Sequence, residues 1–233
     1  MYNLRMRPFR TLRASLQFVD IESRFRDFAE YCRLRDQGLR TQALESLNQF
    51  VTEAAQWVLS ERIVFVDAAL FSPASWDGMR IPQPMVDKLI MPTLNEWMAE
   101  SPEACAPRRW FGMLTHDVRP LEEALALDPT DQVALHAVTE ILIDSVEYAV
   151  HELPCGYLGD PDEDYEVLRR AEPYVSALED PKQRESRMEA LHSLKNTVES
   201  YLDFVRSGTV ESFEEWVQRD NPAVRSRRPR ERE

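Results

Sequence analysis

The stretch Pro120–Leu135, PLEEALALDPTDQVAL, decides how this chain folds. Its first half is built from the strong helix formers Leu, Glu and Ala. Pro129 then removes a backbone N–H and stops any helix from running through. Asp131 follows at a position where its carboxylate can accept the free amide hydrogens of a new helix, and Val133, Ala134 and Leu135 supply the first apolar residues. One helix therefore ends and another begins within a few residues. Ala124, small and near the end of the first, lets a neighbouring helix come close.

Working outward, the 233 residues contain 6 Gly and 15 Pro, with few alternating runs of Val, Ile and Thr. That excludes a sandwich or barrel of many short strands and favours an all-α chain with enough apolar content for a core. The first nineteen residues carry four Arg and no acid but no continuous apolar run, so a secretory signal is not expected, while an organellar transit peptide stays open. No stretch approaches the length of a membrane span. Cys32, Cys105 and Cys155 show neither paired nor metal-ligand spacing, which points to a reducing, cytoplasmic setting.

The net charge of −13 is unevenly spread: residues 1–40 balance at +4, residues 221–233 at +3, and the body between them at −20. Such a body repels nucleic acid and steers basic partners toward itself. The organisation expected is a basic N-terminal segment 1–19, one helical domain 20–220 with a possible internal boundary in the loop 72–84, and a disordered basic tail 221–233.

Helices follow from spacing. Ile21, Phe25, Phe28 and Cys32 predict a helix over Asp20–Gln37, ended by Gly38 in a left-handed conformation. Thr41 is the expected N-cap of a second, burying Leu44, Leu47, Val51, Ala54 and Val58, and the two form an antiparallel hairpin. Glu61–Phe71 reads as helix. Shorter helices are expected near Met85–Ile90 and over Pro92–Glu100. Asp160-Pro161 and Asp180-Pro181 each place a capping carboxylate before a proline whose missing N–H is harmless in a first turn. The second opens a long helix with Leu191, Leu194, Val198, Tyr201, Leu202 and Val205, stopped by Gly208. Thr209 is expected to cap a last helix with Phe213, Trp216 and Val217.

The stretch quoted first resembles the handover between units of the tetratricopeptide repeat, with Ala124, Leu125, Leu127, Asp128 and Pro129 in that family's order. Phe111-Gly112 resembles the Leu-Gly pair of its first helix, although only twelve residues separate Gly112 from Ala124, about two helical turns fewer than in the family. In the next unit Leu135, Val138 and Leu142 fit, while Thr139 stands where a small Gly belongs. The resemblance spans residues 110–142, and Gly38 and Ala43 extend it weakly to 38–47. It implies an irregular stack of antiparallel helix pairs and partner binding in a groove, without naming a partner.

The helix expected over Asp131–Leu153 is the most informative. At 100 degrees per residue, His136, Glu140, Asp144, Glu147 and His151 fall within about 80 degrees of arc, and apolar residues fill most of the rest. This polar seam is either the solvent edge of a buried helix, the wall of a groove for a basic or polar ligand, or a metal site drawing on Glu140, Asp144, Glu147 and His151. Against metal, the Glu-x-x-His of four-helix di-metal sites is missing here, as is HExxH. Asp160, Asp162 and Asp164 alternate like a calcium loop, but Tyr165 replaces the turn glycine, so capping is expected instead. Cys155 lacks an orienting partner. Trp76, in the loop beside Asp77-Gly78, is a candidate exposed anchor.

The sequence thus leads to a non-enzymatic module binding a protein or peptide, the partner basic by charge, with no cofactor. Two alternatives stand beside it: a metal-dependent helical enzyme centred on the seam, and an acidic neutraliser of a basic toxin or nuclease. Oligomeric state is open.

Overall fold

The structure, a computed structural model, describes residues 25–71 and 81–220. The chain is all-α, with no strand among those residues, and divides after Pro129 into two compact units.

In the first unit, α1 (Arg26–Asp36) and α2 (Arg40–Ala54) fold against each other across a short turn. The turn needs Gly38, whose φ of +77° is the left-handed conformation expected of it. At its other end α1 is shorter than the periodicity predicts: Phe25 is not helical, and Asp20 lies outside the described residues. Thr41 does not cap α2. The N-cap is Leu39, with no side-chain hydrogen bond, and Thr41 sits inside the helix. The buried face of α2 is Ala43, Leu47, Phe50, Val51 and Ala54, whereas Leu44 and Val58 are exposed. Phe50 explains this rotation. Its ring lies 5.7 Å from Phe28 and 5.0 Å from Phe65 of α3 (Leu59–Phe71), and the aromatic area buried there outweighs what Leu44 would contribute.

The next segment is one helical run rather than two. A first turn at Gln83–Met85 leads through a π-helical turn, Val86–Ile90, into α4 (Met91–Glu100). Pro92 accounts for the wide turn, because it cannot donate to the carbonyl four residues earlier and its ring crowds that carbonyl.

α5 (Cys105–Thr115) and α6 (Val118–Leu127) form a second packed hairpin in this unit. His116, at φ +57°, turns the chain, and Asp117 accepts from Arg119 N to start α6. The helices have 11 and 10 residues, which is where the two turns missing between Gly112 and Ala124 went. Gly112 is required at the crossing: a Cβ there would stand 2.7 Å from Leu121 Cγ and 2.9 Å from the Asp117 carbonyl oxygen. Trp110, fully buried, donates its indole N–H to Asp67 of α3 at 2.7 Å.

Among its described residues the second unit has three long helices and a short one: α7 (Gln132–Val150), α8 (Pro161–Ser176), α9 (Pro181–Ser207) and α10 (Phe213–Asp220). α8 packs against both α7 and α9, and α9 also touches α7. All three long helices begin at the aspartates expected to cap them, Asp131, Asp160 and Asp180, each accepting from amides of its first turn. Gly208 ends α9 at φ +59°. Leu191, Leu194, Val198 and Leu202 face inward, while Val205 is exposed. α10 starts later than expected. Its cap is Ser212, not Thr209, in a reciprocal box: Ser212 Oγ accepts from Glu215 N, and Glu215 Oε2 accepts from Ser212 N at 2.9 Å. Among the described residues no helix is long and apolar enough to cross a membrane.

Candidate functional site

The seam lies on α7, and its burial changes along its length. Near Asp131 the helix is enclosed on nearly every side: from Val133 to Glu140 every residue is buried, His136, Thr139 and Glu140 included. Beyond Leu142 and Ile143 it emerges, and Asp144, Glu147 and His151 are exposed. The five residues that helical spacing aligns are therefore not one surface. The outer three lie at a solvent edge, whereas His136 and Glu140 are buried, with Asp180 and Arg187 from the start of α9 close enough to act on them.

Burial dominates the inner end. Glu140 is 9% exposed, and its Oε2 is enclosed without a hydrogen-bond partner. The nearest cation is Arg187 of α9, with Nη2 at 3.9 Å from that oxygen: ion-pair range, but too far for a hydrogen bond. Loss of hydration pushes the Glu140 carboxyl up to about 7, Arg187 opposes this, and Asp144 one turn away adds to it. His136 moves down, since burial disfavours the imidazolium and Arg187 repels it, with Asp180 pulling the other way. Glu147 is raised by partial burial and by Asp144, again opposed by Arg187.

At the outer end His151 engages groups outside the seam. Its Nδ1 lies 2.5 Å from the Tyr148 carbonyl oxygen, its Nε2 is 2.9 Å from Glu152, and its ring stacks on Tyr148. Glu140, Asp144, Glu147 and His151 are thus not gathered around one point. Among the described residues no group of three or more His, Cys, Asp or Glu side chains is arranged to hold a metal ion. An open concavity of about 940 Å³ runs along a different face of α9, past Arg184, Glu185, Glu189, His192 and Asn196, and no seam residue lines it.

The other candidates resolve into local roles. Asp160 accepts from Asp162 N and Glu163 N, and Asp164 accepts from the Tyr157 hydroxyl at 2.8 Å, so two of the three alternating aspartates are engaged in capping and in holding the α7–α8 turn. Cys155 is exposed. Trp76 lies outside the described residues.

Arg187 is the residue that spacing did not single out. A signal was present: Arg187 stands four residues before Leu191 and seven before Leu194, on the stripe that faces the other helices, where a charged residue calls for a partner. No family, characterised protein or solved structure matches this chain.

Proposed function

We propose that the chain is a non-enzymatic, tetratricopeptide-like helical module that binds a basic protein or peptide segment across the outer half of the α7 seam, in a reducing, cytoplasmic setting. The observation that carries this is the line Glu140, Asp144 and Glu147 along α7, the outer two exposed, where Asp144 raises Glu140 and Glu147 and Arg187 opposes it at both. Glu140 and Glu147, both raised beside Asp144, are relieved when a guanidinium or ammonium group arrives, and the −20 charge of residues 41–220 steers such a group toward them. The α5–α6 hairpin supports the repeat-like part: Gly112 and Ala124, the small residues of the resemblance, are both buried.

The test is binding of the full chain to short peptides of matched length that are basic, neutral or acidic, at low and high salt. Basic peptides are expected to bind, more weakly as salt rises. The double change Asp144→Asn, Glu147→Gln should lower that affinity about tenfold, in line with a pair of exposed charge contacts. Equal binding of neutral and basic peptides, or an unaffected double variant, would reject the reading.

A further inference from the structure

Arg187 is placed to serve two masters. Its guanidinium stands 3.9 Å from the enclosed Oε2 of Glu140, and its side chain is 26% exposed against 11% for Glu140, so of the two it is the one with room beside it. Its charge also reaches Glu147, two turns further along α7. The distance to Glu140 leaves a buried oxygen with no hydrogen bond, an arrangement that suits a neutral carboxyl and penalises a charged one. If Glu140 ionises, the least disruptive relief is for the long arginine side chain to close the remaining gap.

We propose that Arg187 is a shared cation whose partner is chosen by the proton on Glu140: with Glu140 neutral it screens Glu147, and with Glu140 charged it is drawn into a direct ion pair that leaves Glu147 unscreened. The charged groups acting at this place are His136, Asp144 and Glu147 of α7, Arg187 of α9 and Asp180 at the head of α9; from α8, Glu172 is engaged by Lys195 at 2.5 Å. Burial holds Glu140 at about 7, so the exchange falls near neutrality. For its consequence the inference rests on the binding role proposed above: the acidic surface strengthens as pH rises through that point.

The experiment is a side-chain carboxyl and arginine NMR titration of the full chain from pH 5 to 9. Glu140 should titrate near neutrality, and both the Arg187 Nε–H resonance and the Glu147 carboxyl should show an inflection at the same midpoint. In Glu140→Gln both inflections vanish, whereas in His136→Asn they persist, which separates this transition from one belonging to the imidazole. Arg187→Gln should move the Glu140 midpoint upward by about one pH unit, a tenfold change in proton affinity, and Arg187→Lys by less. A Glu140 midpoint in the ordinary carboxylate range, or Arg187 and Glu147 resonances blind to it, overturns the proposal, and the wild-type titration decides even if a variant fails to fold. In parallel, binding of an octa-arginine peptide should strengthen across the midpoint in wild type and stay level in Glu140→Gln. A peptide that binds at no pH rejects the binding role while the titration still decides the exchange.

Discussion

Gly112→Ala should destabilise the first unit although the change favours helix formation. In an exposed helix interior, replacing Gly by Ala gains about 1 kcal/mol. Here the added methyl would stand 2.7 Å from Leu121 Cγ and 2.9 Å from the Asp117 carbonyl oxygen, well inside the roughly 3.5–4 Å at which carbon atoms attract. Neither neighbour yields easily. Cγ is the branch point of a fully buried leucine, and the carbonyl belongs to the residue that caps α6. Overpacking of this kind costs about 1–3 kcal/mol, so the two effects sum to a net loss of roughly 1 kcal/mol, and more if α6 is pushed away. Hydrogen exchange of α5 and α6 amides is the suitable assay, because it reads this hairpin without the second unit. Protection should fall about fivefold or more. In a Leu121→Ala background the space opens, and the same substitution should cost markedly less, although the contact with Asp117 persists. A Gly112→Ala chain with greater protection than wild type, or with the same loss in both backgrounds, would refute the close-approach argument.

Three further outcomes follow from the same structure. Asp131→Ala removes the acceptor for Val133 N and Ala134 N at a buried cap and should cost about 1–2 kcal/mol in urea denaturation, with Asp131→Asn recovering most of it. Trp110→Phe leaves a gap in the core and deprives Asp67 of its indole donor, so the melting temperature should drop by an amount reflecting about 1–3 kcal/mol; an unchanged value would show that contact to be idle. Because the folded Glu140 carboxyl lies near 7, above its ordinary 4.5, its contribution to stability is complete below pH 4.5 and is lost as pH rises through 7. Glu140→Gln should therefore flatten the decline between pH 5 and 8 and make the chain more stable at pH 8, by at most roughly 3 kcal/mol, while parallel curves for the two chains would count against the buried charge.

What the sequence made legible is what a few neighbouring residues decide. Asp131, Asp160 and Asp180 start helices because capping needs only a carboxylate and the next three amides. Gly38 and Gly208 end helices because the left-handed conformation suits a residue without Cβ. Pro129 separates α6 from α7 by the same local logic. The misplaced starts are instructive within that logic: Thr41 and Thr209 have the right hydroxyl, but Ser212 has the glutamate three residues on that completes the reciprocal box. The rotated face of α2 was not local. Leu44 and Phe50 both fit a helical stripe, and the choice was made by Phe28 and Phe65, which lie elsewhere in the chain.

The seam shows the same limit in electrostatic form. Helical spacing aligned five polar residues on α7, but alignment on one helix carries no information about what lies over it. The first two turns are buried and the last three seam residues are exposed, so identical carboxylates acquire different chemistry: Glu140 holds its proton toward neutrality, while Asp144 supplies the charge that helps it do so. The complementary half of the pattern sits on α9, where an arginine continues a leucine stripe. Reading a polar residue against the register of its own helix finds candidate seams; reading a charged residue that interrupts an apolar register finds the partner that faces them. Joined, the two readings single out Glu140 and Arg187 as a pair, because neither charge has a reason to occupy a buried stripe without the other.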